Sequence, residues 1–449
     1  MKLVKSLLLG SATAFVAAAG AQAADLPSRK AAPASYVKVC DAYGAGFFYI
    51  PGTDTCIKIG GRVRADYAFS AAQTSFASTP TTTILNAVTT TSKNAAHVWG
   101  VEARGRVDLD ARTPTAWGTV QTVLSLRMSR TSGMLSEVGP ALSSNSASPT
   151  LEAAYIRFAG FTFGAAKDNF SFMPSTFYGA GHWASFANGA KQIAYTALLG
   201  GGISATVALQ DVNDTLLAPV NVSAPAGVAY SYNNLPQIVA NIAIEQNWGA
   251  FQVMGAAAKA VGVNTSASYD TDKTVWAVGA GAKINLPMLA AGDVLYLNAA
   301  YANGMTEYTT NWTSFKSSDV KRNVGGFVTN HPSYVYTATG IETLKSWVVA
   351  GVFTHYWAPS IRHSFLGSYG RVEGSNATKA VTFGTTGAFG DATVWNVGTQ
   401  LAWLPVRNFE IGIEALYARV SQDIRRSTVL VTKEKEGNWT GRMRVERTF

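Results

Sequence analysis

The chain has 449 residues, a formal net charge of +9, 47% hydrophobic residues and only 14% charged residues. Soluble globular domains carry roughly 25% charged residues, so this composition argues against a surface that faces only water. The five histidines, His97, His182, His331, His355 and His363, show no metal-binding spacing, and we expect no metal and no cofactor.

Residues 1–23 have the composition of an export signal. Lys2 and Lys5 give a basic start, residues 7–19 are apolar, and residues 21–23 read Ala-Gln-Ala, a small-residue cleavage pattern. We predict a cleaved signal peptide; the alternative, an uncleaved anchor, needs an apolar run of about 18–20 residues. An exported chain rarely encounters nucleic acid, so we expect no nucleic-acid partner despite the net positive charge.

Residues 24–55 are predicted to form an N-terminal periplasmic segment, which begins rich in Pro, Ala and Lys. The chain's two cysteines, Cys40 and Cys56, lie in or beside it. In an oxidising compartment they are predicted to form one local disulfide, with two free thiols as the alternative.

From Cys56 onward the sequence alternates with a period of two, as in CIKIGGRVRADYAFS, and this pattern predicts strands. Most of the candidate strands are long enough for the roughly 9–11 residues of a tilted membrane strand. We predict sixteen strands, over 56–70, 96–112, 117–130, 151–159, 161–167, 191–199, 202–211, 237–248, 250–262, 273–286, 292–304, 344–357, 361–372, 392–405, 408–420 and 437–449.

The connections between these strands alternate between short turns and long polar loops. Short turns on one side and long loops on the other are typical of outer-membrane barrels, whereas a soluble β-sandwich is not expected to separate its connections by length. After residue 23 no run of 18 apolar residues occurs. The pattern therefore predicts an all-β fold, a sixteen-stranded antiparallel transmembrane β-barrel over 56–449.

Charged residues share one face of several predicted strands, which we assign to the pore. A basic wall inside a channel attracts anions and orients dipolar solutes; the plainer alternative is a hydrated lining of weak salt bridges. Aromatic residues near strand ends on the other face predict interfacial girdles. The pore-lining candidates are Arg62, Arg64, Glu102, Arg104, Arg106, Asp108, Arg127, Arg157, Asp168, Glu414, Arg442 and Arg444, with Lys58, Asp66, Asp110, Glu410 and Glu446 in the same rows.

Four segments, 40–67, 100–122, 154–172 and 280–293, resemble the alphaproteobacterial family of outer-membrane general porins. The resemblance implies a trimeric diffusion porin whose paired cysteines are linked and whose third loop, here 168–190, folds into the pore as a constriction. That loop holds seven aromatic residues and no acid beyond Asp168, which favours a weak anion preference over cation selectivity. The aromatic residues are Phe170, Phe172, Phe177, Tyr178, His182, Trp183 and Phe186, counting the histidine.

The resemblance also implies partners and an assembly signal. We expect contacts with outer-membrane lipid and lipopolysaccharide, a homotrimer, and recognition of Phe449 by the barrel-assembly machinery. The expected function is passive diffusion of small hydrophilic solutes and ions across the outer membrane, without a catalytic site. The alternatives are a substrate-specific channel and a barrel hydrolase, which His355 and His363 would serve.

Overall fold

The computed structural model describes residues 38–70, 74–78, 91–95, 99–135, 148–174, 177–179, 188–211, 228–230, 235–264, 269–309, 333–337, 340–375, 391–425 and 431–449. The predicted signal peptide, 1–23, and residues 24–37 of the predicted periplasmic segment lie outside the described residues. The chain divides into two compact units, Met1–Cys56 and Ile57–Phe449.

The described part of the first unit is held by a disulfide between Cys40 and Cys56. It contains a 3-10 helix, Asp41–Tyr43, and a two-residue strand, Phe48–Tyr49. Both cysteines are buried and pack with Phe47. The predicted disulfide is confirmed, whereas the periplasmic location of this segment stays a prediction.

Sixteen long strands in the described part of the second unit build one barrel, and we number them β1 to β16. All sixteen coincide with predicted strands. Their bounds are β1 Cys56–Ser70, β2 Trp99–Thr115, β3 Gly118–Thr131, β4 Ser148–Phe158, β5 Phe161–Lys167, β6 Asn188–Gly200, β7 Ile203–Gln210, β8 Gln237–Gln246, β9 Gly249–Asn264, β10 Tyr269–Asn285, β11 Val294–Asn303, β12 Lys345–Ala358, β13 Ile361–Glu373, β14 Ala392–Val406, β15 Phe409–Arg425 and β16 Val431–Thr448.

The barrel closes because the last strand pairs with the first. β16 lies antiparallel to β1, with Thr448 opposite Arg62 and Thr440 opposite Ser70. Every other strand of the ring pairs with its neighbours along the chain. Closure gives each strand two partners, so no backbone edge meets lipid. The prediction of an all-β, sixteen-stranded antiparallel barrel is confirmed.

Short turns join the strands at one end of the barrel, which we call the short-turn end. Two residues suffice at 116–117, 159–160, 201–202, 247–248, 359–360 and 407–408, and eight at 286–293. The other connections are longer. Their described parts include the 3-10 helices Gly133–Leu135 and Thr306–Tyr308 and the short strands Thr74–Ser78, Thr91–Ala95, Val228–Tyr230, Tyr334–Thr337 and Gly340–Thr343.

Alternation along each strand separates an outer face from a lumen face. On β1, Val63, Tyr67 and Phe69 are exposed on the outer face, while Arg64 and Asp66 are buried on the lumen face. Outward aromatic rings contact each other in tilted pairs across neighbouring strands, with centroids 5.1–5.6 Å apart, as in a girdle on a lipid-facing surface. These pairs are Trp276–Tyr301, Trp347–Tyr369, Trp395–Tyr417 and Tyr417–Trp439.

The helices of the described residues are all too short to cross a membrane.

Candidate functional site: the barrel lumen

Charged residues of the lumen face are concentrated on β16, β1, β2 and β3. The strand register sets Arg444 opposite Asp66 and Arg127 opposite Arg106. Because β16 is the neighbour of β1, residues nearly 400 positions apart form one surface. We call this surface the charged wall: Arg62, Arg64, Asp66, Glu102, Arg104, Arg106, Asp108, Arg127, Arg442, Arg444 and Glu446.

Asp66 is the centre of the wall and is fully buried. Arg444 binds it with two hydrogen bonds, from Nε to Oδ1 at 2.6 Å and from Nη2 to Oδ2 at 2.8 Å. Arg64 Nε lies 3.6 Å and Arg442 Nη1 3.9 Å from Oδ2. One carboxylate is therefore shared by three arginines, and a two-pronged contact of this kind fixes both position and orientation.

Two further carboxylates bind the remaining arginines beside Asp66. Glu102 Oε1 accepts hydrogen bonds from Arg104 Nε at 2.9 Å and Nη2 at 2.6 Å, and its Oε2 lies 3.8 Å from Arg64 Nη2. Glu446 lies 3.9 Å from Arg62 and 4.0 Å from Arg64. The wall is thus a network of alternating charges and not a bare row of cations.

Glu152 belongs to this network, although strict alternation along β4 would point it outward. A β-bulge opposite Ser125 and Leu126 adds one residue to β4 and turns Glu152 into the lumen. There its carboxylate lies 3.1 Å from Arg106 and 3.4 Å from Arg127, which face each other across β2 and β3. Like charges directly opposite each other are destabilising, so Glu152 relieves the repulsion.

Two described residues of the segment 168–190, Tyr178 and Gly179, contact β15 and β16. Glu414 on β15 accepts hydrogen bonds from Tyr178 N at 2.5 Å and Gly179 N at 2.7 Å. Arg442 Nη1 donates to Tyr178 O at 2.6 Å, and the Arg444 guanidinium lies 4.3 Å from the Tyr178 ring centroid. Since this segment begins after β5, these contacts join parts of the barrel that are not neighbouring strands. Residues 175–176 and 180–187, including His182, Trp183 and Phe186, lie outside the described residues.

The Tyr178 hydroxyl donates a hydrogen bond to Glu410. Burial, together with the neighbouring Glu410 carboxylate, raises the pKa of this hydroxyl, which therefore stays protonated. Arg362 Nη2 lies 3.0 Å from both oxygens of Glu410. Arg362 was not among the predicted pore-lining residues. It lies in the same alternating row of β13 as Ser364 and Leu366, which are buried on the lumen face, so the period-two pattern of the sequence could have identified it.

The start of the same segment is anchored by hydrogen bonds and apolar packing. Asp168 Oδ2 accepts a hydrogen bond from Phe170 N at 3.1 Å, and burial raises the pKa of this carboxyl to about 6. The Asn169 carbonyl accepts one from Asn241 Nδ2 at 2.7 Å. The Phe170 ring lies 4.3 Å from that of Tyr308, inside a buried cluster that includes residues of β6 to β12.

Two glycines of the lumen face make room for aromatic rings of this segment. A Cβ on Gly281 would overlap the Phe172 ring, and one on Gly412 would overlap the Tyr178 hydroxyl. Any other residue at these positions would push the segment away from the wall. Glycine is thus required here for close approach and not for backbone freedom.

The two histidines of the hydrolase alternative lie on the outer face. His355 and His363 face each other across β12 and β13, beside Phe353 and Phe365. His355 Nδ1 lies 2.6 Å from Asp293 Oδ2. Within the described ranges, no group of three or more His, Cys, Asp or Glu residues could hold a metal ion.

Comparisons with known proteins agree with this architecture. A family model described as "Porin subfamily" matches residues 25–442. The chain belongs to this porin family. It is 30% identical over 318 residues to Porin Omp2b of Brucella abortus, an alignment that covers 68% of this chain and 75% of that protein. The Omp2b porin of Brucella suis is similar to it at 29% identity over 323 residues, with the same coverage.

A solved structure shares the fold. The outer membrane channel DcaP of Acinetobacter baumannii superposes with a TM-score of 0.59 at 15% identity, covering 89% of this chain and 99% of that one. At this identity the likeness concerns the fold alone. Family membership and the closed barrel together make this chain an outer-membrane diffusion channel of the alphaproteobacterial porin type, a channel rather than an enzyme.

Proposed function

We propose that small hydrophilic solutes and ions diffuse passively through the lumen, past a constriction formed by the segment 168–190. The contact of Tyr178 with Glu414 and Arg442 carries this proposal, because it ties a segment that starts at β5 to β15 and β16. Barrels of sixteen to eighteen strands otherwise leave a wide aqueous channel. A crossing segment divides that channel and sets the size of the solutes that pass.

The charged wall gives the field at this constriction. Arg442 and Arg444 contact the segment itself, so a solute that passes beside it meets cations on one side. Fields inside a low-dielectric wall are focused on the water-filled path. We therefore propose a weak preference for anions; a reversal potential that shows clear cation preference in a salt gradient would contradict it.

A planar-bilayer recording of the purified protein tests the channel function. We expect stable conductance that is linear in voltage and appears in groups of three equal steps, since we propose a homotrimer. Absence of any stable conductance would overturn the proposal. Tyr178→Ala should raise the conductance of each step by loosening the constriction, with Tyr67→Ala on the outer face as a matched control.

The same recording separates a general channel from a substrate-specific one. In a general channel, conductance rises in proportion to solute concentration, whereas a specific channel saturates. We also propose that the channel has no catalytic activity. An esterase or protease activity that disappears in His355→Ala would refute this part and leave the conductance result unaffected.

Lipid and assembly partners are proposed from the outer face. The paired aromatic rings form a surface that fits the interface of the outer membrane and its lipopolysaccharide. The Phe449 ring is exposed, while its backbone pairs with Gly61 through two hydrogen bonds of 3.0 Å. We propose that the barrel-assembly machinery recognises this ring; a normal yield of trimer from Phe449→Ser would contradict that role.

A further inference from the structure

A cavity of about 670 Å³ opens on the lumen side of β1 to β5, below the start of the segment 168–190 and toward the short-turn end. Its lining includes the carboxylates of Asp108, Asp110 and Glu152 and the cations of Arg157 and Lys167. Because Asp108, Glu152 and Arg157 belong to the lumen face, the cavity opens to a solute inside the barrel.

The carboxylates of the cavity already have cationic partners. Arg106 Nε lies 2.7 Å from Asp108, and Arg112 Nη2 lies 2.7 Å from Asp110. Glu152 is shared by Arg106 and Arg127, as described above. These acids therefore contribute little free negative charge to the cavity.

Arg157 and Lys167 differ from these neighbours. Among the described residues, no carboxylate oxygen lies within 4.0 Å of either cation. The Arg157 guanidinium instead lies 4.7 Å from the ring centroid of Tyr155 on the same face of β4. Stacking of this kind orients the guanidinium plane and leaves the N–H groups at its edge free to bind an oxyanion.

From this contrast we infer that the cavity is a binding site for small solutes that carry a phosphate or carboxylate group. Arg157 is the anchor, because its planar fork matches two oxygens of either group. Lys167 also lines the cavity, but Arg157 pairs with Thr162 and Lys167 lies five positions further along β5, about 16 Å of strand.

The inference rests on the proposed function, because a solute reaches this cavity through the lumen. Both cations are exposed to water, so we expect weak, millimolar binding that fades as salt screens it. Weak binding suits a channel, in which a solute must leave as readily as it enters.

The test is a planar-bilayer recording of the full protein in about 0.1 M KCl, a low ionic strength that limits screening. Inorganic phosphate and succinate are added separately, and the reduction of the chloride current is measured. We expect block by at least one of them, and the half-blocking concentration should rise at least tenfold in Arg157→Gln and in the double variant Arg157→Gln/Lys167→Gln. Lys259→Gln, on the outer face of β9, makes the same charge change away from the lumen and should behave like the parent.

Each outcome decides the matter. Block by phosphate alone or by succinate alone supports the site and shows which of the two groups it binds. Partial block in Arg157→Lys, which keeps the charge and loses the planar fork, also supports it. Block that is unchanged in the double variant, or absent for both anions while the KCl conductance is normal, overturns the site. A protein that does not conduct KCl at all overturns the proposed function instead.

Discussion

Glu307 offers a test of how the lumen segments are held. It lies in the 3-10 turn Thr306–Tyr308, which is buried against the lumen face of the barrel. Among the described residues no donor binds its carboxylate, and burial raises its pKa to about 8, against an ordinary value of 4.5. Tyr308 of the same turn packs on Phe170, so this turn supports the start of the segment 168–190.

The sign of the pH effect follows from proton binding. A raised pKa means that the packed turn holds the Glu307 proton more tightly than an opened turn does, so packing loses stability as pH rises from about 4.5 to about 8. Between pH 6 and pH 9 these two pKa values predict a loss of about 3 kcal/mol, roughly a hundredfold in the opening equilibrium. Glu307→Gln should remove this loss.

Hydrogen–deuterium exchange of the amides of Tyr308 and Thr309 measures the opening. Both amides are bonded within the turn, to Met305 O and Thr306 O at 3.1 Å, and their protection is to be corrected for the intrinsic pH dependence of exchange. Glu342→Gln, at a half-buried acid of the neighbouring strand Gly340–Thr343, is the control and should keep the pH dependence. Equal protection at pH 6 and pH 9 in the parent protein would refute the reasoning.

Three further substitutions test the lumen contacts. Asp66→Asn removes a carboxylate shared by three arginines, and we expect the free energy of unfolding in detergent, followed by tryptophan fluorescence, to fall by about 3 kcal/mol; an unchanged value would mean that lumen water replaces the ion pairs. Gly412→Val displaces the Tyr178 hydroxyl and should raise single-channel conductance, whereas Gly105→Val, which meets no atom within 4 Å, should not. Glu152→Gln removes the carboxylate shared by Arg106 and Arg127, although Arg106 keeps its contact with Asp108, and should shift the reversal potential toward anion selectivity; no shift would show that the charge of Glu152 does not act on ions in the pore.

The strands were predictable because membrane and lumen impose opposite chemistry on alternate residues. The predicted strand 56–70 coincides with β1 to the residue, and its outward Val63, Tyr67 and Phe69 contrast with buried Arg64 and Asp66. Five strands start earlier than predicted, and the largest differences are in β10, at Tyr269 instead of 273, and in β16, at Val431 instead of 437. Beyond the lipid belt a strand needs only a partner strand and no apolar face; there the backbone register pairs Asp423 of β15 with residue 433 of β16.

The lumen was less predictable than the strands that build it. Alternation along the strands identified the arginines of the charged wall. It did not identify Glu152, because a single β-bulge in β4 turns this side chain into the lumen, and no local sequence pattern predicted that bulge. The contact between Tyr178 and Glu414 joins residues 236 positions apart, which only closure of the barrel brings together. Periodicity can tell which side chains face inward, but it cannot tell which of them meet.

That distinction decides how the charge of the pore is to be understood. An arginine such as Arg444, held by a buried carboxylate, fixes the wall and the ring of Tyr178, and the carboxylate offsets part of its field at short range. A cation without such a partner, such as Arg157, acts on whatever passes through the water beside it. The arginines of the charged wall therefore hold the described part of the segment 168–190 in place, and we expect cations with no carboxylate partner to add to the preference for solutes.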